Sequence, residues 1–366
     1  MMRPIALLLA SCAVRLAMQA QVPVPFVTDE DRFMVFAEGR FEKLEPRPPQ
    51  WMHAMEGQLV YRDHQGQLKA FLPDGWRLHL LDKGGGEPRG TRRRIAWLAG
   101  DTLKGIREGR AHVLASQVAD FGVSDSLVAV HDTALHELQA IWRGRVHPVA
   151  QVERGSDRPQ WLLGTNALVL FNKEARRLSL FQGGRLRVLS DSTDVGIAVA
   201  GGGIVGWWDG HRRVFMAAFG GAEHALSDLR PASAQAGQGL IAFVDGNGRL
   251  KCFERGVVHR VLDGVPSAYW VKDSLLLYLD RGRLMLFKDG ASTLVEPYVP
   301  EDWQVEGGLL AYLDINRELR GIAGGERFRF GSEAAIAAFR LYGDAVVYRS
   351  PLGHTVVATR RRTYTY

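Results

Sequence analysis

A short apolar pattern recurs along almost the whole chain at nearly regular intervals. Its copies begin at Leu59, Ile95, Leu127, Leu168, Ile204, Leu240, Leu275, Leu309 and Val346. Successive copies lie 32 to 41 residues apart, and six of the eight intervals fall between 34 and 37 residues. A period of this length indicates a repeat architecture, in which each unit buries its apolar faces against its neighbours.

Each repeat contains short strand-like runs and no clear helical pattern. The clearest unit has runs at residues 267–271, 274–279, 283–288 and 292–296, rich in Val, Leu, Tyr and Phe. Asp, Gly, Arg and Ser separate these runs, as in tight turns. The pattern predicts four antiparallel strands per unit.

Units of this kind predict an all-β fold arranged as a single closed β-propeller. A four-stranded meander has two apolar faces, and a closed ring of blades buries both. Nine units are visible, whereas propellers have roughly four to eight blades. We therefore expect eight or nine four-stranded blades, and the glycine-rich segment 84–100 is where a degenerate unit is expected.

The two ends of the chain suggest how the ring closes. Residues 31–45 match only the second half of a unit, so they look like outer strands without inner ones. Pairing of this N-terminal hairpin with the C-terminal unit, residues 336–366, would leave neither strand edge unpaired. The sequence thus predicts a ring closed by pairing of N- and C-terminal strands.

The first 20 residues have the features of an export signal. A positive start is followed by an apolar run too short to span a bilayer, and small residues precede Gln21. Residues 1–20 are therefore predicted to be a signal peptide and residues 21–366 the propeller. Two alternatives stay open: a lipoprotein signal ending before Cys12, which would carry a lipid anchor, and no export.

Strand order within the units resembles the blades of TolB-type and related bacterial propellers. In both, a short strand precedes a long apolar strand ending in Asp, followed by a Gly turn and two more strands. Together with the signal-like start, the chain also resembles uncharacterised exported propellers of Gram-negative bacteria. The resemblance implies a periplasmic or extracellular protein and says little about activity, since propellers host many functions.

Composition and cysteine content favour an ordinary globular domain. The net charge is +6, with arginines spread through the turns, and no basic stripe with interleaved aromatic residues predicts nucleic-acid binding. Cys252 is the only cysteine outside the signal-like segment, so no intrachain disulfide is expected in the body of the protein. Its apolar surroundings predict a buried structural thiol.

Motifs that carry catalysis or bind cofactors are missing from the sequence. The turn at Asp245 resembles half of a calcium loop but lacks the later ligands, so we interpret it as a hairpin turn. The glycines at residues 201–206 match a dinucleotide fingerprint only by accident, because a strand follows them. His79, His112 and His259 fall on outer strands and are expected at the surface, as is His147. No metal or cofactor is predicted.

Four tryptophans are the candidate ligand-binding residues. Trp51, Trp161, Trp270 and Trp303 fall in the first strands of their units, which line the central channel of a propeller. Their rings could stack on sugars or other flat ligands, or they could pack between blades.

These observations predict a non-catalytic scaffold of the cell envelope that binds a protein or glycan partner. No transmembrane span is expected. The alternative is a propeller hydrolase or lyase whose acids and histidines come from several blades and meet at the channel mouth, invisible in linear spacing.

Overall fold

A computed structural model of the protein describes residues 22–152, 160–172, 176–191 and 193–366. The predicted signal segment, residues 1–20, and Cys12 lie outside the described residues. In the described ranges the strands form ten antiparallel sheets, nine with four strands and one with three. Each sheet is a blade, numbered here from the N-terminus. No helix in these ranges is long and apolar enough to cross a membrane.

Blades 1 to 5 occupy the first half of the chain. Blade 1 contains β1 (Val24–Val27), β2 (Phe33–Ala37) and β3 (Arg40–Glu45). Blades 2 and 3 contain β4 (Trp51–Met55), β5 (Gln58–Arg62), β6 (Leu68–Leu72), β7 (Arg77–Asp82), β8 (Arg89–Gly90), β9 (Ile95–Ala99), β10 (Thr102–Arg107) and β11 (Arg110–Ala115). Blades 4 and 5 contain β12 (Val118–Val123), β13 (Leu127–Asp132), β14 (Glu137–Trp142), β15 (Arg145–Gln151), β16 (Gln160–Leu163), β17 (Ala167–Asn172), β18 (Arg177–Gln182) and β19 (Arg185–Ser190).

Blades 6 to 10 complete the ring. Blades 6 and 7 contain β20 (Thr193–Ala200), β21 (Ile204–Asp209), β22 (Val214–Phe219), β23 (Ala222–Ser227), β24 (Ser233–Ala236), β25 (Leu240–Val244), β26 (Leu250–Glu254) and β27 (Val257–Leu262). Blades 8 to 10 contain β28 (Tyr269–Lys272), β29 (Leu275–Asp280), β30 (Arg283–Lys288), β31 (Ala291–Glu296), β32 (Trp303–Glu306), β33 (Leu309–Leu313), β34 (Leu319–Ala323), β35 (Glu326–Arg329), β36 (Phe339–Tyr342), β37 (Ala345–Arg349), β38 (Thr355–Thr359) and β39 (Thr363–Thr365).

Packing between blades closes the ring. The buried apolar residues of the described chain fall into ten clusters, and each cluster joins two consecutive blades. One of them joins Val24 and Phe36 of blade 1 to Val347 and Val357 of blade 10. Every blade therefore has a covered face on both sides, which is how a repeat protein avoids an exposed end.

The expected count of eight or nine blades is wrong, because the ring has ten. All nine apolar stretches seen in the sequence are second strands of four-stranded blades, β5 to β37, and the tenth second strand is β1. Segment 84–100 is not a degenerate unit. It belongs to blade 3, which has four strands although β8 is only two residues long.

The expected pairing of N- and C-terminal strands is also wrong. Hairpin β2–β3 pairs with β1 in its own sheet, while β36 to β39 form a complete sheet. Because Thr363–Thr365 already supplies the fourth strand of blade 10, no position remains there for the hairpin. In addition, β2 is buried on both faces, which requires a blade on each side. Blades 1 and 10 meet face to face through side chains, including an ion pair between Asp29 and Arg349.

A repeated aspartate turn connects the second and third strands of several blades. The Asp245 Oδ1 atom accepts hydrogen bonds from the N–H groups of Asn247 (2.9 Å) and Arg249 (3.0 Å), and Oδ2 lies 2.8 Å from Lys251 Nζ. Asp63 and Asp314 make the same contacts in blades 2 and 9. The carboxylate thus serves the turn, as the sequence indicated.

Asp82 links blades 2 and 3 through its half-buried carboxylate. It accepts hydrogen bonds from Lys104 Nζ (2.9 Å) and Trp97 Nε1 (3.0 Å), both in blade 3. Burial alone would raise the pKa of Asp82, but these hydrogen bonds, one from the Gly84 N–H and the charge of Lys104 together lower the pKa to about 2.

We expect Asp82 to make the ring sensitive to acid. Its pKa is lower in the folded state than the ordinary value of about 3.9, so its contribution is present above pH 4 and is lost as the pH falls towards about 2. The shift corresponds to about 2 kcal/mol. Urea unfolding should show that Asp82→Asn costs about this much at neutral pH and that its difference from the wild type shrinks on acidification. Exposed Asp74→Asn is the control, and a difference for Asp82→Asn that stays constant with pH would contradict the assignment.

Candidate functional site

The four tryptophans lie on first strands, as the sequence predicted, but they do not form one site. Trp270 and Trp303, on neighbouring blades, meet edge to face with ring centroids 5.2 Å apart. Trp51 stacks on His53, with centroids 6.0 Å apart, and Trp161 lies in blade 5 away from both. All four are half-buried and pack against clusters between blades. Their role in binding a ligand stays a prediction.

Outer-strand histidines occupy the expected strands but are not free surface residues. His79, His112, His147 and His259 lie on fourth strands and are half-buried. The His147 ring lies 5.3 Å from that of Phe181, and the His259 ring 5.6 Å from that of Phe287, each on the next blade. They pack between blades because the facing positions on the third strand are small: Ala70, Gly105, Ala140 and Cys252.

Cys252 fits this packing. It is fully buried between blades 7 and 8, and burial raises its pKa to about 12. The thiol is therefore protonated at neutral pH and is unsuited to act as a nucleophile.

Turns between first and second strands are hydrogen-bonded to one another at one end of the ring. Thr165 N–H donates to Gly201 O (3.2 Å), Gly202 N–H to Gly237 O (2.9 Å) and Gln238 N–H to Asp273 O (2.6 Å). We call these linked turns, residues 164–165, 201–202, 237–238 and 273, the collar. It joins blades 5, 6, 7 and 8 independently of their apolar cores.

Close contact in the collar explains its glycines. A Cβ atom on Gly164, Gly201 or Gly237 would lie 2.1 to 2.2 Å from a carbonyl oxygen of the next turn. The glycines at residues 201–206, interpreted from the sequence as an accidental match, therefore include one that the packing of the collar requires. A glycine just before the second strand of consecutive repeats was the available signal.

Charged side chains from distant blades converge at the collar end. Burial raises the pKa of Glu306, on blade 9. Arg92, on blade 3, lies next to Gly307 of blade 9 and pairs with Glu56 (3.1 Å). The Asp273 carboxylate accepts the Gly307 N–H at 2.6 Å. Glu56 and Asp273 are thus engaged in structural contacts. No group of three His, Cys, Asp or Glu side chains suited to a metal occurs among the residues that the structure describes.

A cleft of about 560 Å³ is lined by residues of blades 9, 10, 1 and 2. We call it the closure cleft. The described residues that line it come from β1, β4, β32 and β36 to β38 with their flanks: Pro25, Phe26, Val27, Met52, Asp302, Gln304, Ala338, Phe339, Arg340, Tyr342, Val347, Tyr348, Arg349 and Thr355. They combine aromatic surface with charges of both signs. Such a mixture suits a ligand that has apolar side chains and polar groups.

One wall of the closure cleft is held rigid by an amide side chain. Gln304 donates through Nε2 to Phe339 O and accepts from Leu341 N–H through Oε1, both at 2.9 Å. This two-point contact fixes the first strands of blades 9 and 10 against each other. Gln235 makes the same contact with β28, so the device recurs in the ring.

The opposite wall is the inner edge of β1, and prolines remove its hydrogen-bond donors. Thr28 N–H donates to Arg32 O (3.0 Å) across the β1–β2 pair. In an antiparallel pair every second residue hydrogen-bonds to the partner strand, so the N–H and C=O groups of Val24 and Phe26 also point towards β2. The N–H and C=O positions of the residues between them point away from β2. Those alternate positions are Pro23 and Pro25. Proline has no N–H, so this edge offers carbonyl acceptors but lacks two donors.

Blade 10 shows what these prolines replace. Its second strand has Ala345 and Val347 at the matching positions, and both are paired with the first strand β36. The closure cleft could not be predicted from the sequence because about 300 residues of chain separate its walls. Alternating prolines before Phe26 were the available signal of a protected edge.

Comparisons with solved structures return only remote likenesses. The computationally designed Ika8 protein is 12% identical with a TM-score of 0.35, covering 75% of this chain and 96% of that one. PorZ, a surface component of the type-IX secretion system of Porphyromonas gingivalis, is 12% identical with a TM-score of 0.30, covering 76% and 51%. The CRINKLY WD40 ectodomain of the Arabidopsis thaliana receptor kinase ACR4 is 9% identical with a TM-score of 0.36, covering 69% and 97%. Likenesses this remote carry no argument about function.

Family comparison agrees with the ten sheets. No curated protein matches the sequence. The family model described as a 10-bladed beta propeller domain matches residues 17–364, nearly the whole chain. The protein therefore belongs to the ten-bladed β-propeller family.

Proposed function

We propose that this propeller is a non-catalytic binding scaffold of the cell envelope and that it holds a segment of a partner protein in the closure cleft. The closure cleft itself is the observation that carries the proposal. It has aromatic side chains and exposed Arg340 and Arg349, one wall is fixed by Gln304, and it lies beside the one sheet of the described chain that has three strands instead of four.

The edge prolines favour recognition of side chains over strand addition. A peptide that joined β1 as a new strand would lack partners for two of its carbonyl groups, because Pro23 and Pro25 cannot donate. A partner segment would instead place an apolar or aromatic side chain against Phe26 and Phe339 and a polar group near Asp302 or Arg340.

Protein is favoured over glycan as the partner because of the tryptophans. Stacking on a sugar needs an open ring face, whereas Trp270 and Trp303 contact each other and pack into the core between blades 8 and 9.

Location at the cell envelope rests on the signal-like residues 1–20. N-terminal mass analysis of the native protein tests it, since export requires a chain beginning at Gln21 or a lipidated Cys12.

Peptide selection tests the closure cleft directly. Peptides are selected on the full protein from a random displayed library. We expect them to bind Val27→Glu at least about tenfold more weakly than the wild type, because the bound peptide would bury the new carboxylate against an apolar side chain. Val258→Glu on blade 7 is the matched control, since both valines are 37% exposed. Equal affinity of the selected peptides for both variants would place their site elsewhere. Failure to select any peptide, together with binding on a glycan array that Val27→Glu removes, would replace the protein partner by a glycan.

A further inference from the structure

Six consecutive blades carry arginine at one structural position. In blades 1 to 5 the last strand begins with an arginine that pairs with the last residue of the strand before it: Arg40 in the three-stranded blade 1, and Arg77, Arg110, Arg145 and Arg185 in blades 2 to 5. Blade 10 has Arg362 at the same place, because Arg362 O accepts from the N–H of Thr359 at the end of β38. Blades 6 to 9 have Ala222, Val257, Ala291 and Glu326 there.

These arginines form a continuous arc on one flat face. Blades 10 and 1 are neighbours, so the six positions follow one another around the ring. Antiparallel strands alternate in direction, so the turns between third and fourth strands lie at the same end as the collar. Equivalent positions around one axis lie at one height, so the six residues are close to coplanar. We call Arg362, Arg40, Arg77, Arg110, Arg145 and Arg185 the arginine arc.

Most charge on the arginine arc has no acidic partner. All six residues are exposed. Asp74 lies 3.7 Å from Arg77, and Arg40 stacks on the Trp76 ring at 3.8 Å. Within the described ranges no carboxylate pairs with the other four. The adjoining turns add Arg143, Arg361 and Arg360, of which Arg360 pairs with Glu326 of blade 9, and they contain three acids, Glu38, Asp74 and Glu108.

Exposed apolar side chains lie next to three of these arginines. Leu78, Val146 and Leu186 follow Arg77, Arg145 and Arg185 in the chain and are 47%, 51% and 47% exposed. Arginine binds phosphate groups with two parallel hydrogen bonds, and apolar side chains enter the boundary between headgroups and acyl chains. A flat surface can contact the whole arc at once, whereas a linear polymer would have to bend around it.

We propose that the collar face docks on an anionic phospholipid surface through the arginine arc. The proposal is independent of the closure cleft, which can be disabled without changing any arc residue. Binding of this kind is electrostatic at long range, so it weakens as salt is added.

Vesicle flotation of the full protein tests the proposal. We expect it to float with vesicles that contain phosphatidylcholine and phosphatidylglycerol and not with pure phosphatidylcholine. Arg145→Glu with Arg185→Glu should reduce partitioning at least tenfold, since each basic residue near the surface contributes about fivefold. The control pair is Arg213→Glu with Arg281→Glu, two exposed arginines in turns between second and third strands, at the opposite end of the ring. It changes the net charge equally and should reduce partitioning far less.

Three results would overturn the proposal. The first is an equal loss in both variant pairs, which would show that only net charge matters. The second is no difference between the two kinds of vesicle. The third is binding to a short duplex DNA that depends on the arc, without binding to vesicles, which would make the arc a nucleic-acid site. Unchanged melting temperatures confirm that the exposed substitutions leave the fold intact.

Discussion

Deletion of residues 22–45 is expected to leave a chain that aggregates and does not fold as a monomer. The deletion removes blade 1 and with it two of the ten clusters between blades, those shared with blades 10 and 2. It would expose Val347 and Val357 on one side of the gap and Leu59 and Phe71 on the other. Size-exclusion chromatography and thermal unfolding of the deletion variant would measure the effect.

A point substitution in blade 1 tests the contribution of its packing without removing any part of the chain. Phe36 is buried and lies against Tyr364 and Phe41, with ring centroids 4.6 and 5.0 Å away. Phe36→Ala should cost about 3 to 5 kcal/mol, whereas Leu352→Ala, at an exposed turn, should cost almost nothing. A deletion variant that stayed monomeric and melted like the parent would mean that blade 1 is an appendage.

Gly201→Ala is expected to be the most costly single-methyl addition in the ring. Its new Cβ would lie 2.1 Å from Gly237 O, so two turns of the collar would have to move apart. The hydrogen bond from Gly202 N–H to Gly237 O would break as these turns separate. We therefore expect the free energy of unfolding to fall by about 3 kcal/mol. Gly84→Ala is the control, because no atom lies within 4 Å of its Cβ position and its φ is not positive. Chemical denaturation of both variants compares them, and equal stability would show that the collar is not rigid.

The repeat could be predicted from the sequence because second strands are apolar on both faces. Leu240 to Val244 is buried throughout, and the first three residues of each of the other eight apolar stretches are also buried, so the pattern LIAF marks these strands. The turns could also be predicted, since an aspartate stands at residues 63, 245 and 314 and a basic residue follows six positions later, as Lys69, Lys251 and Arg320.

Blade 1 escaped prediction for local and tertiary reasons. Its second strand, Val24–Val27, is short and proline-containing, and it directly follows the segment with the features of a signal peptide. Without it, the hairpin β2–β3 looked like spare outer strands, and pairing with the last blade was the reasonable way to close the ring. The structure closes it by side-chain packing instead.

Sites were less predictable than the fold. The closure cleft combines residues as far apart as Pro25 and Arg349, and only ring closure brings them together. Collar glycines are required by contact with the next repeat, which a single unit does not reveal. The arginine arc, in contrast, is visible once the fourth strands are aligned, because it follows the repeat.

A crystal structure of the full protein would test the mode of closure most directly. We expect ten sheets around the axis, with β1 to β3 as a separate sheet whose side chains pack on β37 and β38. It also predicts that β39 is an outer edge with no strand beyond it in the described chain. A structure with nine sheets, in which the hairpin Phe33–Glu45 is hydrogen-bonded to Thr363–Thr365, would contradict both the closure and the cleft that depends on it.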